Sequence, residues 1–295
     1  MMNHKSTPFS PVLGMGRSLI ALGTLTNFLF NNPDNLFLQR TFKAEDMGNS
    51  FNLFHLFGYD NLNWSISLSI VILLLTISGY CIRITGILHW WVTFSFLNSA
   101  IIVDGGDQIS SIIALLLIPV TVLDNRKNHW LYQIKESSEI KNFIGKSFFF
   151  VIKVQVAVLY FNAAVGKFPV EEWWDGTAMY YWINHSSFGA PGYLKTILLP
   201  LVENKYTVFV LTWGSMILEL FLSIAVFLRK EARILACGLG ILFHFLIFIV
   251  LGLGSFFFAM SGALILYLIP YNFNMSSLRW NTMKNNTLLR AGLKS

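Results

Sequence analysis

The feature that most constrains this chain is a series of apolar stretches, each close to the length that crosses a lipid bilayer. A helix needs roughly 20 mostly apolar residues to do so, and charged residues make up only 12% of the sequence, about half the usual soluble share of roughly 25%. The sequence therefore predicts an all-α, polytopic membrane helix bundle with about eight transmembrane helices. The predicted spans are Val12–Phe30, Trp64–Arg83, Ile87–Val103, Ile109–Leu123, Ser147–Phe168, Tyr206–Leu228, Ile234–Leu253 and Phe256–Tyr271.

The last two spans are separated by Gly252 and Gly254, because a single helix through both stretches would overshoot the bilayer. No internal repeat or flexible interdomain linker is visible in the sequence. We therefore expect residues 1–295 to form a single transmembrane domain.

Basic residues are distributed unevenly over the two sides that these spans define. With the N-terminus in the cytoplasm, 14 Lys and Arg residues lie on the inner side, four on the outer side and three inside spans. Because Lys and Arg resist translocation, the distribution predicts a cell-membrane protein with both termini cytoplasmic. The excess of basic over acidic residues, 21 against 15, is then explained by orientation in the membrane and not by nucleic-acid binding.

Three segments fall on the outer side: residues 31–63, 104–108 and 169–205. The third contains PVEEWWDGTAMYYWINHSSFGAPG, which is dense in Trp and Tyr. Aromatic residues at the end of a span are typical of an interfacial belt, and that interpretation stays open. A segment this apolar is nevertheless expected to lie on the membrane or to re-enter it as a lid over a cavity, where protein or water must satisfy its backbone.

Ionisable residues inside spans are costly, so each is a candidate for function. Arg17 and Lys153 lie close enough to the inner surface to extend their charged ends to water. Lys167 differs, because it lies at the outer end of the fifth span, just before Pro169, which cannot continue a helix. The spacing of seven residues that separates Lys153, Tyr160 and Lys167 predicts one stripe facing the protein interior.

Glu219 and His244 are the deepest ionisable residues of the predicted spans. The short connection Arg229–Arg233 makes their helices antiparallel neighbours, and the two residues fall within about one turn of each other in depth. We therefore expect a hydrogen bond or ion pair between them. Such a pair either holds two helices together or serves as a proton relay or a base with a shifted pKa.

The turn Val103–Gln108 brings two carboxylates, Asp104 and Asp107, to an outer boundary around two glycines. A tight helix–helix turn explains the glycines, and the clustered acids are equally suited to binding a cation or a substrate amine. The other candidate substrate-binding residues lie in the aromatic segment: Trp173, Trp174, Asp175 and His185.

Familiar catalytic and metal-binding motifs are absent from the sequence, which contains no HExxH, no GxSxG and no P-loop. Cys81 and Cys237 both lie in apolar stretches and form no CxxC pair. The sequence therefore predicts neither a disulfide framework nor a metal site, and it identifies no cofactor.

Three blocks of the sequence carry a family resemblance. They are LGMGRSLIALGTLTNFLFN, then HWWVTFSFLNSAIIVDGGDQISSIIALLLIPV followed by LDNRKNHW, and YFNAAVGKFPVEEWWDGTAMYYW. Together they resemble the sporulation-delaying protein B family. That family belongs to a wider group with the horizontally transferred transmembrane domain, which includes vitamin K-dependent gamma-carboxylase.

The resemblance implies which residues act. The stretch from Tyr160 to Lys167, with WWDG after it, looks like the carboxylase segment whose lysine is the active-site base. Lys167 would thus occupy the base position, and Glu219 and His244 look like the Glu and His of later helices in the same domain. These three are the candidate catalytic residues.

The resemblance also implies a role in producing a secreted peptide toxin. The protein would act on the exported precursor at the outer face of the membrane, with a small soluble partner protein encoded beside it. Its expected partners are the precursor toxin peptide, that small protein and the lipid bilayer. One hypothesis is a peptide-processing enzyme subunit with Lys167 as base; the alternatives are a non-catalytic membrane scaffold, a peptide transporter and a carboxylase-like, quinol-dependent enzyme.

The orientation gives a first testable prediction. A reporter fused after Ser295 or inserted within 128–142 is expected to be cytoplasmic, and one within 40–60 exterior, because of the 14-to-4 distribution of basic residues. Paired alkaline phosphatase and fluorescent protein fusions measure this. An exterior C-terminus would contradict the predicted topology.

Overall fold

The computed structural model describes residues 7–39, 51–131, 137–186, 188–271 and 273, and its regular structure in these residues is helical. Short 3-10 turns accompany the α-helices at Leu53–His55, Tyr59–Asn61 and Ala225–Phe227. The α-helices are α1 (Pro11–Phe30), α2 (Pro33–Leu36), α3 (Leu62–Ser78), α4 (Ile82–Ser99), α5 (Gly105–Leu123), α6 (Glu139–Val165), α7 (Glu171–Trp174), α8 (Ala178–Asn184), α9 (Gly192–Glu203), α10 (Lys205–Ile224), α11 (Lys230–Leu251) and α12 (Gly254–Leu268).

The all-α, polytopic membrane architecture predicted from the sequence is confirmed. Each of the eight predicted spans coincides with a long helix, and in the described part of the chain six helices are long and apolar enough to cross a membrane. The other two are α4, which carries Arg83 and His89, and α12, which has 15 residues. The protein is therefore a multi-pass membrane protein.

Two glycines decide where neighbouring spans separate. Gly252 adopts φ +75° and ends α11, as the sequence predicts. Gly79 adopts φ +85° and ends α3 after Ser78, so the predicted span Trp64–Arg83 is too long at its end. Arg83 belongs to α4 instead. The left-handed backbone that glycine adopts readily stops each helix.

Arg17 does not extend to the surface, and the expectation that it does is wrong. Only 1% of this residue is exposed. Its Nη2 donates to Thr85 Oγ1 at 2.7 Å, and its Nη1 lies 3.4 Å from His129 Nδ1. Burial, together with the charges of Arg17 and Arg126, lowers the pKa of His129 to about 3. His129 is therefore neutral and can accept a hydrogen bond from the guanidinium.

Helix α12 lies at the centre of the bundle. Its ten residues Ala259–Leu268 are all buried, and it packs against α1, α5, α6 and α11. Helix α1 comes very close at two glycines, because a Cβ on Gly262 would lie 2.6 Å from the carbonyl oxygen of Gly16. Small residues let membrane helices approach closely enough to gain van der Waals contact, so this crossing depends on the two glycines.

A second cluster of buried apolar residues joins α1, α3 and α4 to the segment that follows α1. Phe28 and Phe96 meet edge to face at 5.2 Å between ring centroids. Phe37 and Phe54, from that segment, pack 4.8 Å apart in the same cluster. The described part of residues 31–63 is thereby anchored on the helix ends.

The aromatic segment 169–205 runs beside α10 and not beyond its end. It forms the short helices α7, α8 and α9, and α8 is tied to α10 by a hydrogen bond from Met179 N to Thr212 Oγ1. Thr212 lies seven residues into α10, about 10 Å along its axis. Val250 of α11 also packs against the segment. Part of the segment therefore lies alongside the first two turns of α10.

The close crossing of α1 and α12 predicts unequal effects of two identical substitutions. Gly262→Ala should destabilise the protein by about 1–3 kcal/mol, because the added methyl group meets the backbone of α1. Gly238→Ala on α11 is the matched control. Nothing lies within 4 Å of that site, so the change should be neutral or stabilise by up to about 1 kcal/mol. Thermal unfolding in detergent measures both, and equal melting temperatures would contradict the proposed crossing.

Candidate functional site

Lys167 forms an ion pair inside the bundle. Helix α6 ends at Val165, and Lys167 follows directly after the capping residue Gly166. Its side chain folds back along the helix, donates to the carbonyl oxygen of Ala163 at 3.0 Å and forms a salt bridge with Glu219 of α10. The exposed fractions of the two side chains are 20% for Lys167 and 11% for Glu219. The pair is thus largely enclosed but keeps some access.

Four aromatic residues near this pair are here called the aromatic cover: Phe168, Trp173, Trp174 and Trp213. The ammonium nitrogen lies 5.0 Å from the centroid of the Trp173 ring, a cation–π distance. Trp174 packs on Trp213 at 5.6 Å and on Phe168 at 6.2 Å. The cover joins the start of segment 169–205 to α10, and Trp173 of its run EEWW lies over the lysine.

A second buried pair lies one turn further into the bundle. The hydroxyl of Tyr160 lies 2.8 Å from Nε2 of His244, and both residues are at most 2% exposed. Tyr160 shares the interior stripe of α6 with Lys167, whose ammonium folds back to Ala163, about one turn from Tyr160. The seven-residue spacing predicted this common face. Sequence reasoning did not identify Tyr160 as a site residue, although the stripe was the available signal.

The predicted bond between Glu219 and His244 is not the one formed. Glu219 pairs with Lys167, and His244 pairs with Tyr160. The packing accounts for the Glu219 partner, because α10 packs mainly against α6 and only weakly against α11. Glu219 therefore meets Lys167 just past the end of α6, and His244 meets Tyr160 of α6. The short turn between α10 and α11 makes them neighbours in sequence without making their polar residues meet.

The four groups together constitute the polar cluster: Lys167, Glu219, Tyr160 and His244. It contains a cation in contact with a carboxylate and a hydroxyl in contact with an imidazole, which are groups able to pass protons. Nδ1 of His244 is buried and has no hydrogen-bond partner among the described residues. The cluster thus combines proton donors and acceptors with one buried nitrogen that remains unsatisfied.

Asp104 and Asp107 are bonded to protein groups. Asp104 caps α5 by accepting from Gly106 N and Asp107 N, and Asp107 Oδ2 accepts from Asp104 N in return. Their remaining described bonds come from neighbouring helices, with Ser255 donating to Asp104 and Asn27 to Asp107. This geometry favours the helix-turn interpretation over a ligand site. No group of three or more His, Cys, Asp or Glu side chains suited to a metal ion occurs among the described residues.

The other two predicted binding residues, Asp175 and His185, lie in turns of segment 169–205. Asp175 Oδ1 accepts from Thr177 N at 2.9 Å and from Thr177 Oγ1 at 2.6 Å, directly after the aromatic cover. His185 follows α8, and its Nδ1 accepts from Phe188 N at 3.1 Å. The predicted substrate-binding residues are therefore spread over three places: the cap of α5, the turns around α7, and the end of α8.

Comparisons with known proteins agree with the family resemblance. The HTTM domain family matches residues 19–271. The sporulation-delaying protein SdpB of Bacillus subtilis (strain 168) is 36% identical over 280 residues, which cover 92% of this chain and 85% of that protein. The uncharacterized protein YitO of the same organism is 36% identical over 271 residues, which cover 89% of this chain and 86% of that protein. No solved structure matches the chain significantly.

The pairing in the polar cluster predicts the outcome of a double-mutant cycle. Lys167→Met leaves the Glu219 carboxylate without its cation, and Glu219→Gln leaves the ammonium without its anion, so each single change strands a mostly buried charge. The double variant should lose less stability than the sum of the singles, with a coupling of about 0.5–3 kcal/mol. Unfolding midpoints in detergent give the values, and additive losses would rule the pair out. The control cycle, Glu219→Gln with His244→Phe, should be closer to additive.

Proposed function

This chain belongs to the HTTM domain family and, within it, to the sporulation-delaying protein B family, and we propose that it is required for maturation of a secreted peptide toxin. The support is similarity to the sporulation-delaying protein SdpB over 92% of the chain. We propose further that Lys167 and Glu219 form the reacting centre. The observation that carries this second part is their ion pair, which is mostly enclosed beneath the aromatic cover.

The contact between Lys167 and Glu219 supplies the step that a lysine base needs. An ammonium group has no lone pair, so Lys167 must release a proton before it can accept one from a substrate or a water molecule. Glu219 can take that proton directly, which converts the ammonium and carboxylate into a neutral amine and a carboxylic acid. The amine then takes a proton from the reacting group and becomes an ammonium again. The Lys167–Glu219 pair stays neutral overall during the first transfer. It gains one positive charge only when the amine takes the proton of the substrate.

The Tyr160–His244 pair extends this arrangement deeper into the bundle. A hydroxyl both donates and accepts, and a neutral imidazole carries a proton on one nitrogen while accepting on the other. In the resting state both groups are therefore neutral, and a proton can move along the hydrogen bond between them. In the proposed function this pair orients the polar groups beneath Lys167 and can take up or release a proton, while the substrate approaches from the side of the aromatic cover.

Access to the reacting centre is proposed to come from the outer side. Trp173 and Trp174 of the cover and helices α7–α9 belong to segment 169–205, which the distribution of basic residues predicts to lie outside the cytoplasm. An exported precursor peptide would reach Lys167 from that side, together with the small soluble partner protein that the family resemblance implies. Because the partly exposed edge of Lys167 lies under this segment, opening of the cover is the proposed route of entry.

Lys167→Ala tests the reacting centre. The variant is expected to accumulate in the membrane at normal levels but to yield no mature peptide, as measured by mass spectrometry of the secreted material. Lys153→Ala on the same stripe of α6 is the matched control and should leave maturation intact. Full maturation by the Lys167→Ala variant would remove this residue from the site and favour the scaffold alternative.

Lys167→Arg separates two roles for the same residue. Arginine keeps the positive charge and can still pair with Glu219, but it does not give up its proton in the physiological range. Loss of maturation in this variant, with normal protein levels, is expected for a base. Rescue by arginine would instead assign Lys167 to positioning the substrate by charge.

A further inference from the structure

A cavity in the outer segment lies next to the aromatic cover but outside the polar cluster. Its volume is about 380 Å³. One side is the turn from Asp175 to Thr177, which follows α7, and the other is the junction of α9 and α10 around Glu203 and Lys205. Two rings from α8, Tyr180 and Tyr181, complete the wall. None of the functions discussed above uses this cavity.

The turn on its first side is held in place by specific contacts. Gly176 adopts φ +86°, and a Cβ at this position would collide with the ring of Phe209 on α10. Glycine therefore lets the turn lie directly on α10. Both described hydrogen bonds of the Asp175 side chain, from Thr177, reach Oδ1. Because they anchor one oxygen, the carboxylate is held at the rim of the cavity.

The charges of the lining favour a cation. Asp175 and Glu203 contribute carboxylates from opposite sides, and Lys205 is the one basic group of the lining. The Lys205 ammonium lies 4.9 Å from the centroid of the Tyr206 ring, which is not part of the wall. Carboxylates bind ammonium and guanidinium groups by charge-assisted hydrogen bonds, and tyrosine ring faces attract cations.

An interfacial belt would account for Tyr180 and Tyr181, but it would not account for the cavity that they border. Belt residues place their rings at the headgroup level and need no concave site. Here the rings border a cavity to which two separate chain segments each contribute an acid, and the glycine turn shapes one of these segments. A few polar groups converging on a partly apolar concavity are typical of a binding site.

We propose that this cavity binds a cationic group, a lysine or arginine side chain or an N-terminal amine, of the peptide on which the protein acts. The proposal rests on the proposed function for the identity of the peptide. Helix α7 connects the cavity to Trp173 and Trp174, so a peptide held at Asp175 lies beside the cover above Lys167. The cavity would thus select the precursor and set which part of it reaches the reacting centre.

Binding of short peptides to the purified protein tests the proposal independently of toxin maturation. The probes are acetyl-Ala-Arg-Ala-amide and its citrulline counterpart, which has nearly the same shape without the charge. Quenching of tryptophan fluorescence reports binding, since Trp174 directly precedes Asp175. The arginine peptide should bind saturably and at least about tenfold more tightly than the citrulline peptide, because only arginine can pair with both carboxylates. Equal affinities would overturn the proposal.

Substitutions in the protein locate the binding. Asp175→Asn keeps the Oδ1 acceptor for Thr177 and so preserves the turn, and Glu203→Gln changes the opposite wall. Each should weaken the arginine peptide about fivefold, the upper range for a solvent-exposed ion pair. Glu171→Gln and Glu172→Gln are matched controls, because both acids are exposed in the same segment and neither lines the cavity. Equal losses in the controls would overturn the assignment.

Two further binding measurements distinguish this proposal from its alternatives. Lys167→Ala should bind the arginine peptide as tightly as the unaltered protein, so a failure of Lys167 in maturation and a failure of the cavity in binding are distinguishable. Adding phosphatidylethanolamine to the detergent micelles should not compete with the arginine peptide. Full competition would assign the cavity to a lipid amine and overturn the peptide proposal.

Discussion

The close crossing of α1 and α12 is the contact on which the rest of the bundle depends. Gly16 and Gly262 let the two backbones nearly touch, and α12 is then buried along Ala259–Leu268. Because a membrane offers little hydrophobic drive for helices to associate, close packing has to supply the affinity. Helices α5, α6 and α11 pack around this centre, and α6 and α11 bring Tyr160 and His244 together.

The polar cluster is tolerated in an apolar bundle because its members pair with one another, Lys167 with Glu219 and Tyr160 with His244. The Lys167–Glu219 pair is neutral overall, and the ammonium has a further acceptor in Ala163 O. An ionisable group inside a membrane protein is otherwise expensive. Removing one partner strands the other, so the pair is sensitive to single substitutions even though its net contribution to stability is small.

Local sequence signals predicted much of the fold and less of the site. Apolar stretches gave the eight long helices, Gly252 gave the break before α12, and the seven-residue spacing gave the interior stripe with Tyr160 and Lys167. The partner of Glu219 was predicted wrongly, because it depends on which helices pack side by side, and chain connectivity does not determine that. Arg17 was also misjudged: depth in a span suggests an exit to water, but a distant loop supplies His129 as an internal partner.

A comparison of two cations inside the bundle, Arg17 and Lys167, supports placing the proposed chemistry at Lys167. Arg17 is 1% exposed, and its described side-chain bonds go to neutral groups, Thr85 and His129. A guanidinium in that setting holds helices together and has no reason to exchange its proton. Lys167 keeps a 20% exposed side chain, contacts a carboxylate able to take its proton, and lies under a segment built from short helices. Proton transfer to a substrate needs both an acceptor and access, and of these two cations Lys167 is the one that has them.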